Sequence, residues 1–228
     1  MYNSVSELMR LGAFWQYKSS NKKYHVTLTS GLHSDIYCNL SKVIENKQRL
    51  EIIQASPNYT KLVDLVGLLY KRVEIDNYSV CFCGQAMGSI PWAETLGGLF
   101  SIPVIHAEKI GDVMEVSRYN LENIDNIIVV EDVMSTGGTT KKTIEAVGDK
   151  IAAVVTIVDR RSNIGELDIG NSVTVPVISL GYVFGSFYPE DNCPMCNEGS
   201  QVLYPPKETH NWKKLRNSIV ESCSNEGL

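Results

Sequence analysis

Several features are scarce in this 228-residue chain. No stretch approaches the roughly 18 consecutive apolar residues that a membrane span needs, so no membrane partner is expected. The N-terminal run MYNSVSELMRLGAFW has no basic segment ahead of an unbroken apolar one, so no signal peptide is expected. Positive charge is not in excess: 21 Lys and Arg against 26 Asp and Glu leave a formal net charge of −5. Proteins that grip phosphate backbones usually carry a basic face, so nucleic acid is not an expected partner. Cysteine is sparse, with six residues in the whole chain. That is too few for a disulfide scaffold at this length, and a reduced, cytoplasmic protein is the simplest reading. Cys193 and Cys196 form one C-P-M-C pair, which alone is a weak zinc signal. His25, His33, His106 and His210 do not fall at metal-ligand spacing, and no metal bound directly by the protein is expected.

What is present is an ordinary globular balance, 43% hydrophobic and 21% charged, with enough chain for one sizeable core. A short helix is expected over Val5 to Leu11, with Ser4 or Ser6 as N-cap. Ser30-Gly31 reads as a turn. Apolar spacing from Asn46 to Val73 suits two helices split near Ser56-Pro57. Strands are expected at Tyr78 to Cys83, Ile102 to His106, Ile127 to Val130, Ile151 to Val158 and Val173 to Leu180. Cys81 and Cys83 fall inside the first of these and read as core. Helices are expected at Gly88 to Gly97, with Pro91 in its first turn, and at Thr139 to Val147. Strand and helix alternate, so the expected class is α/β with a mostly parallel sheet flanked by helices. The tail from Lys207 to Ser222 suits one more helix.

The segment IIVVEDVMSTGGTT, residues 127 to 140, carries the most information. Four apolar residues suit a strand buried on both faces. Glu131 and Asp132 follow at once. Inside an apolar layer a carboxylate costs several kcal/mol unless it is paired, so the acids are expected just past the strand's carboxyl end. That is where open α/β sheets bind ligands. Gly137 and Gly138 allow close backbone approach. The N–H groups at the following helix start, with the hydroxyls of Ser135, Thr136, Thr139 and Thr140, suit a phosphate. Carboxylates beside a phosphate cradle suggest a ligand with both phosphate and hydroxyls, such as a ribose 5-phosphate. A Walker A loop is ruled out because no Gly-Lys-Ser/Thr follows the glycines, and a G-x-G-x-x-G fingerprint is absent as well.

This strand, acid pair and Ser-Thr-Gly-Gly-Thr loop resemble the motif that binds 5-phosphoribosyl-1-pyrophosphate (PRPP) in type I phosphoribosyltransferases. Further segments narrow the resemblance to the orotate phosphoribosyltransferases. LTSGLHSDIY (28–37) resembles their N-terminal segment, GQAMGSI (84–90) their pyrophosphate loop, and HAEK (106–109) with Gly111, Met114 and Arg118 their mobile catalytic loop. IVDRRS (157–162) resembles their Asp-Arg strand end and YPEDNCPMCNEG (188–199) a C-terminal Cys-Pro-x-Cys segment. Gln85, where a proline is usual, Ser89, where a glycine is usual, and an apparent insertion from Trp15 to Lys23 depart from the pattern.

The resemblance implies a type I phosphoribosyltransferase fold over residues 1–203, with a small N-terminal and C-terminal hood. Residues 1–45 would form the hood segment, 46–203 the core and 204–228 a tail. It implies that Glu131 and Asp132 hold the ribose hydroxyls and that the loop Val133, Met134, Ser135, Thr136, Gly137, Gly138, Thr139 binds PRPP, its 5′-phosphate on Ser135 to Thr139. Ala86, Met87 and Gly88 would face the pyrophosphate. Lys109 would act in catalysis with the two acids, from the partner subunit of a homodimer that shares its active sites. Ser135 would border the base and Arg160 grip the orotate. A planar guanidinium after a buried strand independently suits a planar carboxylate, although an ion pair of Arg160 with Asp159 or Glu166 fits the sequence too. The implied reaction joins PRPP and orotate to give orotidine 5′-monophosphate and pyrophosphate, with Mg2+ reaching the site through PRPP and water. Two alternatives stay open: a related transferase for another base, and a PRPP-sensing regulator without catalysis.

Overall fold

The computed structural model describes residues 4–18, 22–75 and 79–225. The strand start expected at Tyr78 and the Ser19-Ser20-Asn21 part of the apparent insertion lie outside these residues, and the N-caps expected at Ser4 or Ser6 rest on side chains that are likewise outside the description. In chain order the strands are β1 (Phe14–Gln16), β2 (Tyr24–Thr27), β3 (His33–Ser34), β4 (Ile36–Cys38), β5 (Val80–Gln85), β6 (Val104–Ile110) and β7 (Val113–Glu115). They continue with β8 (Asn126–Met134), β9 (Ile151–Asp159), β10 (Glu166–Gly170), β11 (Val173–Tyr182), β12 (Phe187–Tyr188) and β13 (Gln201–Leu203). The α-helices are α1 (Ser4–Arg10), α2 (Ser41–Ile44), α3 (Lys47–Gln54), α4 (Pro57–Ile75), α5 (Ala86–Phe100), α6 (Gly138–Val147), α7 (Pro194–Asn197) and α8 (Thr209–Asn225).

The chain forms two compact units, one over Lys47–Val183 and one that joins residues up to 46 with those from 184 onward. The larger unit holds a seven-stranded sheet in the order β10-β11-β9-β8-β5-β6-β7. The five inner strands pair in parallel. β10 and β7 close the two edges as antiparallel hairpin partners. The strand order reverses between β5 and β8: β5–α5–β6 winds one way and β8–α6–β9 the other. This is the topological switch point at which such sheets open a crevice past the strands' carboxyl ends.

β8 supplies the centre of the core. Ile127, Ile128, Val129 and Val130 are fully buried, and burying each such side chain stabilises the fold by about 1.5–3 kcal/mol. Ile127 and Val129 share one cluster with Cys81, Cys83, Ile144 and Val147, so alternate β8 residues meet α6. α5 begins at Ala86, two residues earlier than the sequence suggests, because backbone pairing of β5 ends at Gln85. Pro91 therefore falls inside the helix rather than in its first turn.

In the smaller unit, a four-stranded sheet runs β12-β3-β2-β13. α8 closes this unit: Trp212 and Leu215 pack with Trp15, Val26, Leu28 and Leu203. The Trp15 indole donates to Ser218 Oγ at 3.2 Å, and Arg216 donates to the Phe14 carbonyl at 3.0 Å. Residues 184–203, which the sequence reading leaves with the core, pack here with the N-terminal segment.

Candidate active site

The acid pair lies inside β8 rather than past its end, because β8 continues to Met134. The expectation of a strand ending at Val130 is corrected, and the reason is one-sided pairing. β5 pairs with β8 only as far as Gly84 opposite Val130, whereas β9 continues with Glu131 opposite Thr156 and Met134 opposite Asp159. The acids thus stand where β8 has outrun its neighbour on one side, at the switch point.

Adjacent strand residues face opposite sides, and the two carboxylates do so. Glu131 turns toward α6 and is 9% exposed. Gln85 Nε2 donates to Glu131 Oε2, as does Thr140 Oγ1 at 3.2 Å, while Gln85 Nε2 also reaches Thr140 Oγ1 at 3.1 Å. Burial, and then the neighbouring Asp132 carboxylate, push the Glu131 carboxyl well above the usual carboxylate range. Thr140 is fully buried and spends its hydroxyl on Glu131, so it leaves the phosphate cradle that the sequence suggests for it.

Asp132 turns to the other face, toward α5, and is half-buried. Its Oδ1 accepts the N–H of Val133 at 2.8 Å. Gly88, in the first turn of α5, packs directly on it: a Cβ there would overlap Asp132 Oδ2 and sit 2.9 Å from Asp132 Cγ. Ala86 and Met87, expected ahead of the helix, form its start together with Gly88. Ser89 Oγ accepts the Gln85 N–H at 2.6 Å and donates to the Gln85 carbonyl, fastening the turn from β5 into α5. The Met87 side chain is exposed.

Past Met134, Ser135 and Thr136 lead to Gly137, the N-cap of α6, which has φ +79° and offers no side-chain cap. The first N–H groups of a helix have no intrahelical partner, so this end presents donors next to exposed Thr136, Gly138 and Thr139 and half-buried Ser135. Two helix N-termini, those of α5 and α6, therefore start at the ends of neighbouring strands on either side of the acid pair. Both favour anions.

Lys109 lies on β6, opposite Met114 in a hairpin closed by Gly111 and Asp112. The segment that resembles the catalytic loop forms a β-ribbon at the sheet edge. Lys109 is exposed and has no ion pair among the described residues, while Arg118 pairs with Glu108 at 2.7 Å. Arg160 follows β9 and is 2% exposed, its N–H bonded to the Met134 carbonyl at 2.9 Å. The structure gives Asp159 to the next residue: Arg161 grips it through Nε to Oδ1 at 3.0 Å and NH2 to Oδ2 at 2.8 Å, and also donates to the Glu166 carbonyl. Gln85, noted in the sequence only as a departure from a family pattern, is the residue whose structural part was missed.

The sequence reading of dispersed histidines is also corrected. His25, His33, Cys193 and Cys196 come together in the smaller unit, with one ligand atom of each within 4.8 Å of the others. Their spacing hides this because the pairs meet across strands and not along one helix.

The parallel sheet, the switch-point crevice and the acid–glycine loop define a type I phosphoribosyltransferase. No protein-family model matches the chain. Orotate phosphoribosyltransferase of Caldanaerobacter subterraneus subsp. tengcongensis is 31% identical over 188 residues, 80% of this chain and 88% of the relative. The enzyme of the same name from Heliobacterium modesticaldum is 30% identical over 191 residues, 81% and 90% of the two chains. Among solved structures, orotate phosphoribosyltransferase from Aeropyrum pernix shares the fold with a TM-score of 0.50 at 22% identity, covering 78% of this chain and 93% of its own. UMP synthase of Leishmania donovani does so at 0.53 and 16% identity, covering 97% of this chain and 41% of its own. The chain belongs to the orotate phosphoribosyltransferase family.

Proposed function

We propose that this chain transfers the 5-phosphoribosyl group of PRPP to orotate, giving orotidine 5′-monophosphate and pyrophosphate in pyrimidine nucleotide biosynthesis. One observation carries the reading: a β8 carboxylate, Asp132, stands between the N-termini of α5 and α6 in a chain of this family. The α6 end, with Ser135 to Thr139, suits the 5′-phosphate. The first turn of α5, at Ala86, Met87 and Gly88, suits the pyrophosphate. Asp132, the more open acid, takes the ribose hydroxyls, with Glu131 held behind it by Gln85 and Thr140. A carboxylate on those hydroxyls stabilises the positive charge that grows on the ribose as the C1–O bond breaks. Arg160 and Ser135 are assigned to orotate, and Lys109 to the leaving pyrophosphate.

Mg2+ is the proposed cofactor. The groups on offer around the acid pair, the Asp132 carboxylate and the Ser135 and Thr139 hydroxyls, are all oxygen donors, the chemistry that suits a hard cation retaining its waters and held through PRPP. When bound through PRPP, the ion neutralises charge on the leaving pyrophosphate. We further propose a homodimer in which Lys109 serves the site of the other subunit. The exposed Ile110 and Val113 at the tip of the β6–β7 hairpin support such a contact. No described helix is long and apolar enough to cross a membrane. A cytoplasmic setting is proposed, in keeping with the unbridged cysteines Cys38, Cys81 and Cys83.

The test is turnover on a panel of bases with PRPP and Mg2+. Orotate is expected to be the preferred acceptor. Asp132→Asn combined with Glu131→Gln is expected to lower turnover at least a hundredfold with the melting curve still cooperative. Preference for a base without a carboxylate, or near-normal turnover of the double variant, overturns the assignment.

A further inference from the structure

We propose that the smaller unit holds a structural zinc ion, bound by His25 Nε2, His33 Nδ1, Cys193 Sγ and Cys196 Sγ. The proposal is independent of the transferase reading and uses none of its residues.

The topology makes the cluster. β2 and β3 are antiparallel neighbours with Thr27 opposite His33. His25 lies two residues before Thr27, so the two imidazoles are diagonal neighbours on one face. β12 pairs with β3 on one edge of the sheet, and β13 pairs with β2 on the other. The chain between them, residues 189–200, must cross the face of both inner strands, a span of about 14 Å at normal strand spacing. It crosses on the histidine side, and α7 with Cys193 before it sets both thiols over the imidazoles.

The closed pattern of contacts fits a metal better than it fits hydrogen bonds. His25 Nε2 lies 3.1 Å from His33 Nδ1, and Cys196 Sγ lies 3.4 Å and 3.3 Å from the same two nitrogens. An imidazole nitrogen that donates a proton cannot also accept one. No placement of protons therefore gives all three edges of this triangle a linear hydrogen bond. A single cation at the centre satisfies every lone pair at once. Zn–N bonds of about 2.0–2.1 Å and Zn–S bonds of about 2.3 Å imply tetrahedral edges of about 3.3–3.8 Å. The two edges to Cys196 Sγ lie at the short end of that range and the edge between the nitrogens is slightly shorter than it, so the ligands open outward a little to admit the ion, with Cys193 supplying the fourth corner within the 4.8 Å limit of the group.

The surroundings also match. His25, His33 and Cys193 are at most 3% exposed, as in a closed site with four protein ligands and no open position. His25 Nδ1 meets Ser200 Oγ at 3.0 Å, a partner that orients the ring and leaves Nε2 for the ion. Two nitrogens and two sulfurs select zinc over the hard Mg2+ of the transferase reading. On binding, each thiol releases its proton to solvent. The two resulting thiolates cancel the charge of the ion, so the buried site is neutral. The ion would tie the β2–β3 hairpin to a loop more than 160 residues later in the chain, 171 residues for His25 and 163 for His33 relative to Cys196.

The experiment is metal analysis of the full chain, purified under reducing conditions without chelator, followed by exchange with Co2+. One zinc per chain is expected. The cobalt form is expected to show the intense visible bands of a tetrahedral ion and a thiolate-to-cobalt charge-transfer band. Removal of zinc by a chelator is expected to lower the melting temperature, and re-addition of zinc alone to restore it. His33→Ala and Cys196→Ser are each expected to lose the bound metal. A wild-type protein that takes up no zinc after reduction, a six-coordinate cobalt spectrum, or full zinc content in both variants overturns the proposal. The first two readouts need only the wild-type chain, so misfolding of a variant does not obscure the answer.

Discussion

At the scale of single residues, Gly88 and Asp132 constrain each other. Glycine is poor in a helix by about 1 kcal/mol relative to alanine, yet position 88 has no room for a Cβ because the Asp132 carboxylate occupies it. Gly88→Ala is therefore expected to leave thermal stability within a few degrees of wild type while displacing Asp132. Turnover with PRPP is expected to fall at least tenfold, read by steady-state kinetics beside a melting curve. Unchanged kinetics would show that Asp132 can move without cost. Glu131 makes a different prediction. The folded protein keeps a proton on this buried acid at pH values where the unfolded chain, with an ordinary glutamate near about 4.3, has released it. Its contribution to stability is complete below that value and declines as pH rises through the raised folded one. Glu131→Gln imitates the protonated form, so its melting temperature is expected to match wild type in acid and to exceed it at alkaline pH. Melting curves that stay a constant distance apart across that range would refute the raised carboxyl.

At the scale of elements, two adjacent arginines follow the end of β9, and different tasks are proposed for them. Arg161 holds Asp159, which is fully buried, through a two-point fork. Removing one partner of such a buried pair costs about 3–5 kcal/mol, since the other charge stays behind. Arg161→Ala is therefore expected to lose stability in a denaturant titration. Arg160→Ala is expected to lose orotate affinity by about ten-fold to a few hundred-fold, the equivalent of a charge-assisted contact of roughly 1.5–3 kcal/mol. PRPP binding is expected to change little in that variant. Equal loss of both ligands together with a lower melting temperature would make Arg160 a structural residue instead. The strand-to-helix element at β8 and α6 was legible in the sequence. A β-branched run, two acids and a glycine N-cap are local signals. The extension of β8 to Met134 was not, because only continued pairing with β9 permits it.

At the scale of the whole molecule, the expected assembly is a homodimer with shared sites. Lys109→Ala and Asp132→Asn subunits, each inactive alone, are expected to recover part of the activity when mixed and allowed to exchange. A monomer by light scattering at working concentration, or mixtures that stay inactive, would contradict it. The same hairpin that carries Lys109 carries the exposed Ile110 and Val113. Substituting both by Ser is expected to weaken self-association, measured by sedimentation.

The sequence by itself determined the alternation of strand and helix, the buried run Ile127 to Val130 and the glycine turn into α6. Each rests on neighbours within a few positions, where apolar runs, charge and glycine act through local backbone preference. It also marked Arg160 and Lys109, through motifs of contiguous residues. Tertiary structure alone decided the rest. Gln85 meets Glu131 and Thr140 only because β5 and β8 are adjacent in the sheet. Arg161 reaches back onto Asp159 because β9 ends there and the chain bends past it, so the residue two positions on comes alongside the buried carboxylate. His25, His33, Cys193 and Cys196 share one face because β12 and β13 sit on opposite edges of the smaller sheet, so the chain joining them has to cross it. Strand order is set by which faces can be buried together, and no spacing along the chain records it.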